Sequence, residues 1–78
     1  MGAKMQNVVK TLDNTQTRLT KAYGAEFRFM TWATNRLINA CSMELQARDR
    51  GDGDTQEWYA LEREVLTTRI CDYGRIDK

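Results

Sequence analysis

Gly51-Asp52-Gly53-Asp54 is the one sharp interruption in a chain of 78 residues that contains no proline. Glycine adopts backbone conformations closed to other residues, and aspartate bonds to backbone amides two or three positions on, so this tetrapeptide reads as a turn. Helical periodicity runs up to it and resumes after it. The turn therefore predicts two helices folded back on each other as an antiparallel hairpin.

Upstream, Met5, Val8, Val9, Leu12, Gln16, Leu19 and Tyr23 fall on one side of a helix drawn at 3.6 residues per turn. The polar run Asp13-Asn14-Thr15 lies off that stripe and does not interrupt its phase, which predicts a first helix over 3–23 ended by Gly24. Phe27, Met30, Thr34, Leu37, Ile38, Cys41 and Leu45 form a second stripe over 25–49, widened on one flank by Phe29, Ala33 and Ala40. Its breadth predicts a central helix with two neighbours. The two stripes also share one phase across Gly24, and a single glycine costs a helix only about 1 kcal/mol. One long kinked helix over 3–49, dimerised and followed by a shorter helix, is therefore the alternative architecture.

After the turn, Asp54 and Glu57 have the spacing of a capping box for a third helix over 55–73, ending near Gly74. That helix carries two apolar seams, Trp58, Leu61 and Val65 on one side and Tyr59, Leu66, Ile70 and Tyr73 on the other. Glu62 and Arg69 project between them, as an interior charge pair or as long side chains that snorkel outward or pair with a neighbouring helix. The expected fold is all-α, one domain over 1–78 built as a small bundle of three helices, the second and third forming the hairpin.

A single core in a chain this short supplies only about 3–5 kcal/mol, which favours some additional support. A disulfide does not fit. In a hairpin folded near Asp52 the residue level with Cys41 is about 63, which leaves Cys71 roughly 12 Å away along the axis against a bridging limit near 7 Å. Both cysteines read as reduced packing residues. The opening residues, Met1 to Asn7, lack the apolar run of a signal peptide, no segment approaches the length of a membrane span, and Gln6 stands where myristoylation wants a hydroxyl residue. The expectation is a cytoplasmic protein with no membrane association.

The net charge of +1 hides a gradient. Residues 1–24 carry four cations against Asp13, a net +3, whereas 51–78 carry seven acids against four cations, a net −3. Such polarity orients a partner or a second copy.

Several chemistries fail on residue identity. A calcium loop from Asp52 would place Glu57 where glycine is required and Arg63 where the closing bidentate glutamate belongs. Gly51-x-Gly53 lacks the strand, third glycine and lysine of a phosphate loop. The chain has no histidine and no cysteine pair at ligand spacing, so neither a metal nor another cofactor is expected. Glu57 and Glu64 face away from Glu62, and both cysteines sit inside helices without a base, so no catalytic residue is assigned and the chain is not expected to be an enzyme.

Two binding readings remain. With Phe27, Met30, Leu37, Ile38 and Leu45 turned inward, the outer side of the second helix would carry Trp32, Arg36, Asn39 and Met43 as a stripe at spacings of four, three and four, with Phe29 at its edge. Tryptophan, methionine and arginine are enriched in protein interfaces. This set predicts a non-catalytic protein-binding module that acts stoichiometrically as an inhibitor or adaptor of a larger protein or complex, of the kind phages and mobile elements encode, or that pairs with a second copy of itself. The other reading is a small nucleic-acid-binding transcriptional regulator whose first helix presents Lys10, Arg18 and Lys21 to phosphates.

Overall fold

A computed structural model describes residues 2–76, with side chains described as far as Gly74. Three helices, α1 (Ala3–Tyr23), α2 (Phe29–Arg50) and α3 (Gly53–Ile76), form a three-helix rod with extents of 41 × 23 × 22 Å. The sequence places α1 at its observed bounds. The long-helix alternative over 3–49 is wrong: Gly24 takes a positive φ of 58°, a short 3-10 turn follows over Gly24–Glu26, and the first α-helical bond of α2 runs from the Trp32 amide to the Arg28 carbonyl. This connection also moves the start of α2 from 25 to 29.

The Gly51-Asp52 turn is built as expected, with one correction. Gly51 is left-handed (φ 74°), its amide bonds to the Arg48 carbonyl, and the Asp52 amide bonds to the Ala47 carbonyl. This double closure is how glycine ends a helix, because it occupies the orphan carbonyls of the last turn. The next helix begins at once, capped by Asp52 and not by Asp54: Oδ1 of Asp52 accepts from the Thr55 amide at 3.2 Å. With the cap two residues earlier, Asp54 lies in the first turn, and α3 runs through Gly74, whose φ is not positive. One glycine is too weak a breaker to stop a helix held on two sides.

α3, and not α2, is the central helix. It makes its broadest contact with α2 and a second contact with α1, whereas no Cα of α1 comes within 8 Å of one in α2. The α2–α3 seam follows a spacing of three and four on both sides. Phe29 of α2 meets Tyr73 of α3 and Arg36 meets Glu62, which is an antiparallel order. The Phe29 and Tyr73 rings meet at a centroid distance of 5.0 Å, and the same register brings Ala40 to the level of Glu62. Ala33, Ala40 and Ala47, seven residues apart, are fully buried. Alanine at this interval lets the two backbones approach closely, and the space is filled by larger side chains from α3.

α1 lies parallel to α3. Val8 and Leu12 are its fully buried residues, in one cluster with Ala33 and Leu66. Polar clasps fix its position: Lys4 Nζ lies 2.6 Å from Glu57 Oε1 at one end, and Arg69 Nη2 lies 2.6 Å from Asp13 Oδ1 farther along, where Arg69 Nη1 also reaches Gln16 Oε1 at 3.4 Å. Glu62 and Arg69 thus do not pair with each other. Each pairs with a neighbouring helix, Glu62 with Arg36 of α2 and Arg69 with Asp13 of α1.

Candidate docking surface

α2 is rotated from the orientation expected from its large apolar residues: of the five assigned to the core, Leu37 packs against the core cluster and Phe27 is half-buried, but the other three are not covered. Met30, Ile38 and Leu45, assigned to the core, are 37%, 63% and 51% exposed. Trp32, Arg36 and Met43, assigned to the outside, are half-buried in the bundle, as is Phe29. Only Asn39 of the expected stripe is exposed. The cause is the alanine seam. Three alanines at a seven-residue interval present little apolar area each, so the bulkier aliphatic residues dominate the periodic signal, yet the alanines allow the tighter helix pairing.

Trp32 packs against the core cluster, its ring 6.0 Å from those of Phe27 and Phe29. Arg36 is committed to Glu62, which is 1% exposed. Neither is displayed for a partner. The structure therefore brings four of the five stripe residues, Phe29, Trp32, Arg36 and Met43, into the seam and its edge.

The outer face of α2 is unusual in its charge. The exposed residues of α2 between Phe29 and Ala47 are Met30, Thr31, Thr34, Asn35, Ile38, Asn39, Ser42, Leu45 and Gln46, and none is ionisable. The charged residues within that stretch, Arg36 and Glu44, both turn toward α3, Glu44 accepting from Arg63 Nε at 2.8 Å. Arg63 is raised above its usual pKa by this bond to Glu44 and by the charge of the same carboxylate. Met30, Ile38 and Leu45 form the apolar ridge of this face, with Thr34 and half-buried Cys41 between them. The ridge is about 22 Å long at 1.5 Å per residue.

Comparison with protein-family models, with curated proteins and with solved structures finds no match to this chain. The surface must be read from its own residues.

Lys10, Arg18 and Lys21 are exposed on the outer side of α1 and make no ion pair with any described residue. Lys4, Arg36, Arg48, Arg50, Arg63 and Arg69 each have a carboxylate within 4 Å. Among the described residues, the exposed cations without a carboxylate within 4 Å are thus Lys10, Arg18 and Lys21 on α1 and Arg28 just before α2. Cys41 and Cys71 are free thiols, and no group of three metal-ligating side chains occurs among the described residues. No helix among them is long and apolar enough to cross a membrane.

The sequence did contain a signal for the α2 face. Residues 29–47 hold two charges in a chain that is 29% charged, and both lie on the inward side once the hairpin register is known.

Proposed function

We propose that this protein is a non-catalytic protein-binding module that docks through the outer face of α2 and acts stoichiometrically as an inhibitor or adaptor of a larger protein or complex, in the manner of small helical proteins from phages and mobile elements. The observation that carries this reading is the uncharged, five-turn outer face of α2 with Met30, Ile38 and Leu45 along it. Interface cores are depleted in charge and retain large apolar side chains, whereas the free surface of a helical bundle carries lysine and glutamate. A groove-binding helix presents anchors at intervals of three, four and seven residues, and the Met30, Ile38, Leu45 spacing of eight and seven suits that mode.

The test is capture of protein from host lysate by immobilised wild-type chain, compared with Ile38→Glu combined with Leu45→Glu. Both positions are exposed, so helicity is retained while capture is lost. Capture that survives both substitutions removes α2 as the docking face.

A second reading, nucleic-acid binding by α1 in a small transcriptional regulator, is favoured by the concentration of unpaired cations at Lys10, Arg18 and Lys21. It requires binding that weakens steeply with salt and with Lys10→Ala combined with Lys21→Ala. Binding that ignores both rejects it.

A further inference from the structure

We infer that α1 is a releasable cover held by surface ion pairs: it lifts from α3 as one unit about Gly24, leaves the α2–α3 hairpin paired, and lays bare the apolar seam of Trp58, Leu61 and Val65 on α3. The outer face of α2 takes no part in this motion.

The polar contacts divide by helix pair. Those that hold α1 are at the surface: Lys4 with Glu57 and Asp54, and Asp13 with Arg69, which also reaches Gln16. The Glu57 and Asp13 side chains are 62% and 58% exposed, so both carboxylates return to water at little cost when α1 leaves. The hairpin is different. The buried carboxylate of Glu62 is met by Arg36 of α2, and Arg63 is met by Glu44 of α2. Lifting α1 thus strands no buried charge, a penalty that would otherwise bind the three helices into one unit.

The apolar contacts divide in the same way. α1 packs on α3 alone, and Val8 and Leu12 are its fully buried residues. Trp58, Leu61 and Val65 pack against the cluster that contains those two. At the edges, Met5 and Val65 line one shallow surface hollow and Lys4 and Trp58 another, so the margin of the cover is already open. The hairpin keeps its Phe29–Tyr73 ring contact and its two-residue turn, neither of which involves α1.

The connection permits the swing. Residues 20–26 are all exposed, and the space around Gly24, at a φ of 58°, is empty of other side chains. Phe27 is the first residue after them that is half-buried, its ring 6.0 Å from that of Trp32, so the hinge lies before it. Once released, α1 is a lone helix of 21 residues, marginal in water, and its amides lose protection as a group. A second apolar surface is therefore built into the chain, hidden while α1 is docked, and ionic strength sets how often it is open.

The experiment is native-state hydrogen exchange of the full chain, read amide by amide by NMR at low urea concentrations. The amides of Val8 to Leu12 should exchange at least about tenfold faster than that of Leu66, with a shallower urea dependence, because lifting α1 exposes less surface than unfolding the whole chain. Raising salt from about 50 to about 500 mM should speed α1 exchange by a factor of about three, the loss expected for two exposed clasps. Lys4→Gln combined with Asp13→Asn, which keeps the net charge, should show the faster rate already at low salt and respond little to more. Equal rates and equal urea slopes for Val8–Leu12 and Leu66 would make the three helices one cooperative unit and overturn the inference. A wild type without a salt response, or a response that survives both substitutions, overturns the ion pairs as what holds the cover.

Discussion

Arg36 donates from both Nη2 and Nε to one oxygen of Glu62, at 3.0 and 3.3 Å, across the α2–α3 seam. The carboxylate is buried and the guanidinium partly reaches solvent, so Glu62 depends on Arg36 more than the reverse.

Removing only one partner should therefore be costly. Arg36→Ala leaves a buried charge unpaired and should destabilise by about 2–4 kcal/mol. Replacing both, Arg36→Leu with Glu62→Leu, should recover most of that loss, since an apolar pair of similar volume does not have to be desolvated. Urea unfolding of the two singles and the double gives the coupling directly. A double variant as unstable as Arg36→Ala would show that the seam needs the ion pair itself.

Alanine at the seam should be more restrictive than a large aliphatic residue outside it. Ala40→Leu inserts three carbons opposite Glu62 and should cost about 1–3 kcal/mol. Ile38→Ala, in dilute protein, should change stability by less than about 0.5 kcal/mol because the side chain is mostly in water. Thermal unfolding of both variants checks the ordering, and the reverse order would contradict the orientation of α2.

Trp32→Ala should act on stability, as expected of a packed residue. Loss of its contacts with Phe27, Phe29 and the core cluster should cost about 2–3 kcal/mol, less than for a fully buried tryptophan. A variant with unchanged denaturation midpoint would place Trp32 outside the bundle.

The cap on α3 should titrate. Bonds from the Thr55 hydroxyl and amide, with the Arg50 charge close by, hold the Asp52 carboxyl below its usual value of 3.8. A depressed carboxylate contributes stability that is complete above the unfolded value and is lost as the pH falls through the lower folded value. Asp52→Ala should lower the melting temperature by about 4 °C at neutral pH, and the difference from wild type should shrink below about pH 4. A difference independent of pH would mean that the carboxylate is not the cap.

The turn, the hairpin and α1 were legible in the sequence because each rests on local chemistry: glycine at positive φ, aspartate beside free amides, and one uninterrupted stripe from Met5 to Leu19. The orientation of α2 was not. Periodicity weighs side chains by their size, but pairing with α3 selects Ala33, Ala40 and Ala47 for their smallness. That preference becomes visible only when Tyr59, Glu62 and Leu66 are known to occupy the opposite side. The partners of Glu62 and Arg69 were equally hidden, since intervals along one helix cannot say which neighbour a long side chain will meet. Once α2 is turned over, Phe29, Trp32, Arg36 and Met43 become packing residues, and an uncharged face is left outside.

The central position of α3 has a consequence for how the chain assembles as it is made. α1 emerges first, yet its clasps reach partners more than 50 positions later, Lys4 to Glu57 and Asp13 to Arg69. α2 and α3, by contrast, meet across a turn of two residues, and short loops close fastest. The hairpin can thus form as a local event, while α1, a lone amphipathic helix of marginal stability, waits with Val8 and Leu12 uncovered until the last helix has left the ribosome. The N-terminal third of the chain is the part most in need of protection during synthesis, although it is synthesised first.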